Sequence, residues 1–78
     1  MKLPQISGKE MIAFLTKQGF EVKRQRGSHV TLYEKRVDGK GLYVTVPLHA
    51  SKEIVPKTLL SILNQADLTK DEFFKLWK

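Results

Sequence analysis

The sequence predicts an α+β fold: a two-layer sandwich in the order helix, three-stranded antiparallel sheet, helix and short C-terminal helix. Two stretches with apolar residues at helical spacing enclose one long stretch in which apolar and polar residues alternate, as they do in half-buried strands. Short glycine-containing turns join the three strands, so the sheet is antiparallel and needs cover on one face only. Both main helices are expected to cover that face, with residues 1–78 forming one domain.

The first helix is expected over residues 8–18. Ser7 and Glu10 match the S-x-x-E capping box, in which each side chain satisfies a backbone N–H at the other position. Gly19 follows the apolar stripe and is a natural residue to end a helix.

The three strands are predicted within residues 20–47, with turns at 26–28 and 37–41. The apolar positions that alternate along them are Phe20, Val22, Val30, Leu32, Leu42, Val44 and Val46. Counting by strand parity, the face that the helices leave open carries Lys23, Gln25, His29, Thr31, Tyr33, Tyr43 and Thr45. This polar and aromatic face is where we expect the functional site.

The second main helix is expected to begin at Pro56, because proline suits the first position of a helix. Its apolar stripe consists of Leu59, Leu60, Ile62, Leu63 and Ala66. Thr69 and Glu72 form a second capping box, which predicts a short third helix.

The charge of the chain favours a polyanionic partner. Fourteen Lys and Arg residues against eight Asp and Glu residues give a net charge of +6 and a pI near 9.8. The basic residues of the hairpins are Lys23, Arg24, Arg26, Lys35, Arg36 and Lys40. Lys57 adds a cation in the first turn of the second helix, where free N–H groups also attract phosphate. Nucleic acid is the commonest partner of such a surface, although charge that serves only solubility is the alternative.

Several classes of protein are excluded or disfavoured by what the sequence lacks. There are no cysteines, so disulfides, thiolate metal sites and a cysteine nucleophile are excluded. No apolar run approaches the length of a membrane span, and the N-terminus has no signal-like apolar region. We therefore expect a soluble cytoplasmic protein that does not bind membranes, with no large enclosed cavity because the chain is short.

His29 is the residue most suited to catalysis. It follows Arg26, Gly27 and Ser28 at a tight corner, and parity places it on the open face. The ordinary pKa of histidine, about 6.5, lets it take or give a proton near neutral pH. Gly27 allows a phosphate to approach closely, and Arg26 can hold it. The alternative is that His29 is a hydrogen-bonded surface residue with a structural role.

His49, in the loop after the third strand, is the candidate second acid or base, with loop capping as its alternative. Ser28 is expected to bond its own turn or a phosphate, because no nucleophile motif surrounds it. Two histidines without cysteine or an H-E-x-x-H pattern do not indicate zinc, and scattered acids do not indicate magnesium, so no metal or other cofactor is expected. Tyr33 and Tyr43 can stack on unpaired bases or simply brace neighbouring strands.

Three motifs resemble one known family. They are G-S-H after the first strand, V-P-x-H after the third strand, and a helix that begins with proline, and the similarity extends over residues 8–76. These features resemble the HicA toxins of bacterial and archaeal toxin–antitoxin pairs.

The resemblance implies a fold similar to the double-stranded RNA-binding domain and a metal-independent mRNA interferase activity with His29 as the catalytic residue. It also implies a HicB-type antitoxin that blocks the site, with a homodimer expected only within that complex. We expect Lys23, Arg24, Arg26, Gly27, Ser28 and Lys57 to bind the RNA. A non-catalytic RNA-binding module of the same fold is the alternative, and a pure protein-interaction module is a third reading.

Overall fold

The computed structural model describes residues 3–36, 39–48 and 53–77 and confirms the predicted α+β fold. Its elements are α1 (Gly8–Lys17), β1 (Glu21–Arg26), β2 (His29–Lys35), β3 (Gly41–Pro47), α2 (Pro56–Gln65) and α3 (Lys70–Leu76). The strands form one antiparallel sheet in the order β1-β2-β3. Both α1 and α2 pack on the same face of this sheet, and α3 packs beside α2.

The helices begin where the sequence predicts. The Ser7 hydroxyl accepts from the Glu10 N–H at 3.1 Å, and the Glu10 carboxylate accepts from the Ser7 N–H at 3.0 Å. Thr69 and Glu72 form the same reciprocal pair at the start of α3. Pro56 is the first residue of α2, whose N-cap, Val55, provides no side-chain hydrogen bond.

The buried core lies between the helices and one face of the sheet. It consists of Ile6, Met11, Phe14, Leu15, Phe20, Val30, Leu32, Val44, Val46, Ile54, Leu59, Ile62, Leu63, Ala66 and Phe73. Two predicted apolar positions are exposed instead, Val22 by 53% and Leu60 by 40%. Val22 pairs with buried Leu32, but it lies on an edge strand that the helices do not fully cover. Leu60 lies to one side of the buried stripe of α2.

The short helix α3 contributes an aromatic cluster to this core. The ring of Phe73 is fully buried and meets the ring of Phe14 edge-on, with 5.2 Å between centroids. Trp77 contacts both rings at 5.5 Å. These contacts attach the C-terminal segment to α1 by buried apolar surface and by favourable ring geometry.

Four parts of the chain meet at one end of the sandwich. They are the turn between β1 and β2, the end of β3, and the first residues of α1 and α2; we refer to them together as the turn end. The Leu48 N–H donates to the Ser28 carbonyl at 2.5 Å, which ties the end of β3 to the turn. A Cβ atom at Gly8 would collide with the Pro47 carbonyl oxygen, so α1 begins directly against β3. The Ile54 N–H donates to the Ile6 carbonyl at 2.7 Å, which places the segment leading into α2 beside the start of α1.

Candidate functional site

The turn that precedes His29 has the geometry of a tight hairpin. Arg26 and His29 are paired residues, so Gly27 and Ser28 form a two-residue connection. Gly27 has a φ of 55°, whereas Ser28 does not have a positive φ. This pattern is that of a type II′ turn, which favours glycine at its first central position. No atom of residues 3–36, 39–48 or 53–77 lies within 4 Å of the position that a Cβ of Gly27 would occupy, so this part of the chain leaves the space above the turn open.

His29 begins β2 and is exposed on the face of the sheet that the helices leave open. Its cross-strand neighbours are Arg26 on β1 and Pro47 on β3. Residues paired in this way have Cα atoms about 4.5–5.5 Å apart. Within the described residues, the imidazole has no hydrogen bond or ion pair. His29 is therefore exposed, and it is paired across the strands with an arginine.

A β-bulge in β1 changes which side chains share that face. Val22 pairs with Leu32, but the next pair is Arg24 with Thr31, so Lys23 is the extra residue. Arg24 and Arg26 consequently lie on the open face, and Gln25 pairs with buried Val30 instead. The parity prediction was wrong for Gln25, because one inserted residue reverses the alternation that follows it.

The cations of β1 remain available to a ligand. Lys23, Arg24 and Arg26 are all exposed. In residues 3–36, 39–48 and 53–77, no carboxylate forms an ion pair with any of the three. Because uncompensated cations attract phosphate, this strand is suited to bind anions on the open face.

Arg36 belongs to the same basic hairpins in the sequence but has a different environment. Its guanidinium contacts Glu34 at 3.4 Å and Asp67 at 3.3 Å, at the far end of the sheet from His29. It therefore links the second hairpin to the end of α2 and adds little to the charge of the open face.

The remaining predicted site residues are placed as follows. Ser28 is half-buried, and its carbonyl accepts a hydrogen bond from the Leu48 N–H. This contact holds the turn against the end of β3. Lys57 is exposed in the first turn of α2 and therefore lies at the turn end, as Ser28 does. His49 lies outside the described residues, two positions after the cross-strand neighbour of His29.

In residues 3–36, 39–48 and 53–77, no helix is both long enough and apolar enough to span a membrane. No group of three or more His, Asp or Glu side chains in the same residues is arranged to hold a metal ion.

The comparison with known protein families identifies the chain. The family model described as "HicA toxin of bacterial toxin-antitoxin" matches residues 8–68. This chain belongs to the HicA toxin family. The family match covers α1, the whole sheet and α2, and it ends before α3 begins. A search of curated proteins found no match.

Membership of the HicA family indicates the general functional class of the protein. The family consists of bacterial toxins that belong to toxin–antitoxin systems, so the chain is of the toxin type and implies an antitoxin partner. The match also includes the turn, His29 and the β1 cations, which form the open site described above.

Proposed function

We propose that this HicA-family protein is a metal-independent endoribonuclease that cleaves mRNA in the cytoplasm, with residues 1–78 acting as one domain. The observation that carries the proposal is the placement of His29. It is an exposed imidazole, directly across the strand pair from Arg26, at a turn where the described residues leave the space above Gly27 open. A proton-transfer group, a cation and room for a phosphate are therefore adjacent.

These groups suit cleavage by the RNA's own 2′-hydroxyl. In this reaction the 2′-oxygen attacks the adjacent phosphorus and loses its proton to a general base. The bond from phosphorus to the 5′-oxygen breaks, and that oxygen takes a proton from a general acid. The products end in a 2′,3′-cyclic phosphate and a 5′-hydroxyl. No metal is needed if a histidine transfers one of the protons and cations stabilise the charge on the phosphate.

In the proposed reaction, the β1 cations bind phosphates of the RNA and the turn keeps the site accessible. Arg26 holds the phosphate that reacts, and Lys23 and Arg24 hold its neighbours along the open face. Gly27 keeps the approach open, and Ser28 fixes the turn through its bond with Leu48. Lys57, at the exposed start of α2, contacts the RNA backbone beyond the turn. Contacts of this kind bind RNA without reading its sequence.

His49 is the candidate partner of His29 in proton transfer. It follows Pro47, which is the β3 neighbour of His29, by two residues. One histidine would then act as the base and the other as the acid.

The proposed inhibitor is a HicB-type antitoxin that covers the open face. Lys23, Arg24 and Arg26, which form no ion pair with a carboxylate of the described residues, favour an acidic surface on that partner. A protein bound there excludes RNA from His29, which would explain inhibition without any change in the toxin's fold.

The test is cleavage of labelled RNA by the purified protein, with analysis of the product ends. We expect cyclic phosphate and 5′-hydroxyl ends, unchanged activity in EDTA, and no cleavage at a position that carries a single 2′-deoxynucleotide. Loss of activity in EDTA would indicate a metal enzyme instead. Tight RNA binding with no cleavage by either the free protein or the protein with ribosomes would indicate the non-catalytic RNA-binding module.

A further inference from the structure

Two tyrosines lie side by side on the open face, further along the strands from His29. Tyr33 on β2 and Tyr43 on β3 are cross-strand partners, with ring centroids 4.8 Å apart and ring planes inclined by 46°. Beside them is a cavity of about 410 Å³ lined by Lys23, Arg24, Thr31 and Tyr43. This volume lies toward the lower end of the range for small-ligand sites.

The two rings are not equivalent. Tyr33 is half-buried and lies over Gly41, where a Cβ atom would collide with its ring. Packing against the bare backbone of a neighbouring glycine holds the ring close to the sheet. Tyr43, in contrast, is 63% exposed. The Tyr43 ring therefore offers an aromatic surface on the open face, where a flat ligand has room to stack.

The charge around the rings indicates what that ligand is. The Lys23 ammonium lies 5.4 Å from the centre of the Tyr33 ring, a cation–π contact that holds the side chain over the face. Arg24 lines the same cavity because the β-bulge brings it onto this face. A ligand with a flat aromatic part and an adjacent negative charge can stack on the exposed ring and pair with the cations. A nucleotide of a single strand has these two parts.

We propose that the Tyr43 cavity binds one unpaired base of the RNA substrate and so makes the toxin select single-stranded RNA. This inference rests on the proposed function and extends it to a class of substrate. Tyr33 is four residues from His29 along β2, which is about 13 Å in a strand. The bound base is then roughly two to four nucleotides from the phosphate at His29. A base that is paired in a duplex cannot turn its face to Tyr43.

The first experiment locates the base by its removal. Oligoribonucleotides with one cleavage position are made with an abasic residue at each neighbouring position in turn, and cleavage rates are compared for wild type, Tyr43→Ala, Tyr43→Phe and Tyr43→Leu. We expect one abasic position to slow the wild type by about 5- to 150-fold, the range for loss of one base–aromatic stack. Tyr43→Phe keeps this sensitivity, whereas Tyr43→Ala and Tyr43→Leu are slow on the intact RNA and insensitive to the abasic residue.

The second experiment does not depend on cleavage. Single-stranded RNA containing 2-aminopurine is titrated with His29→Ala protein, and stacking is detected as quenching of the fluorescence. We expect quenching with His29→Ala and with His29→Ala/Tyr43→Phe, and much weaker quenching with His29→Ala/Tyr43→Ala at saturation. The folded state of each variant is checked by circular dichroism.

The outcomes separate this inference from the nuclease proposal. If wild type cleaves RNA but Tyr43→Ala has the same rate and the same abasic profile, the base site is wrong and the nuclease stands. If Tyr43→Ala is slow but remains sensitive to the same abasic position, Tyr43 only supports the sheet. If Tyr43→Ala weakens antitoxin binding alone, the cavity is a protein contact. Quenching that requires Tyr43, without any cleavage, would support the base site and contradict the nuclease.

Discussion

Alternate residues of β2 face opposite surroundings. Val30 and Leu32 are 2% and 0% exposed beneath the helices, whereas His29 is exposed and Thr31 is partly exposed on the other face. The same strand therefore contributes to the core on one side and to the candidate site on the other. We expect substitutions on the covered face to change stability and substitutions on the open face to change RNA cleavage.

The largest effect on stability is expected from Phe73→Ala. Phe73 is fully buried and meets Phe14 edge-on, so its removal should lower the free energy of unfolding by about 3–5 kcal/mol. Phe74→Ala is the matched control. Phe74 is only partly buried, so its removal should lower the free energy of unfolding by clearly less. Urea denaturation measures both. Equal costs would mean that α3 does not complete the core as described.

A smaller loss is expected from Gly27→Ala. No described residue crowds the Cβ position of Gly27, so we expect the loss of stability to come from its φ of 55°, a conformation that costs an L-residue about 1–2 kcal/mol. Gly27→Asn is the control, since asparagine tolerates this conformation better. Thermal unfolding should rank the proteins as glycine, then asparagine, then alanine. If alanine were as stable as glycine, the turn would not need a left-handed residue.

Substitution of Arg36 should mainly change stability, whereas substitution of Arg26 should mainly change RNA binding. Arg36→Ala breaks contacts with Glu34 and Asp67, and these partly exposed pairs contribute at most about 1 kcal/mol to stability. Arg26→Ala removes a cation that has no carboxylate partner in the described part of the chain, so stability should stay nearly constant. It should instead weaken RNA binding and reduce the salt dependence of the affinity by about one phosphate contact.

Measuring RNA affinity at several salt concentrations, together with unfolding, distinguishes these arginines. The reverse result, with Arg36 controlling the salt dependence of binding, would place the RNA at the far end of the sheet.

The smallest expected effect concerns acid stability. Hydrogen bonding from Thr69, through its backbone N–H first and its side chain second, lowers the pKa of Glu72 from 4.5, with a further contribution from Lys75. Because the folded state favours the ionised form, Glu72 stabilises the protein above its unfolded pKa, and this stability is lost as the pH falls through the lower folded value. Glu72→Gln should therefore flatten the pH dependence of unfolding below about pH 4.5. An unchanged slope would contradict the role of the carboxylate in the capping box.

The sequence predicts the fold well because its signals are local. Each capping box needs only two residues three positions apart, and both Ser7–Glu10 and Thr69–Glu72 form as expected. Gly27 in the first turn is a local signal too, because the turn needs a residue with a positive φ at that position. Val22 and Leu60 were harder, because their exposure depends on how far the helices extend over the sheet, which no local pattern states.

The β-bulge was missed, although the sequence contains a sign of it. Counting from buried Phe20, strand alternation directs Arg26 toward the core, but a two-residue turn pairs Arg26 with His29 on the open face. The two counts agree only if β1 contains one extra residue. No apolar residue follows Val22 in β1, so nothing else in the strand reveals where the parity changes. For the same reason, the sequence alone could not predict that Arg24 lies on the open face.

The roles of Tyr33 and Tyr43 could not be separated from the sequence either. Both are tyrosines at equivalent positions of neighbouring strands, and the packing of Tyr33 over Gly41, which distinguishes them, is visible only in the structure. The placement of His29, in contrast, was predictable, because strand alternation from Val30 and the position of the turn both assign it to the open face.

The most direct test of the account measures cleavage rate and RNA affinity separately for His29→Ala and Arg26→Ala. If the imidazole next to Arg26 moves a proton during cleavage, His29→Ala should lose about 10²–10⁴-fold in rate while binding RNA as tightly as wild type. Arg26→Ala should bind RNA more weakly. A His29→Ala protein that cuts RNA at the wild-type rate, with its fold intact, would contradict the account.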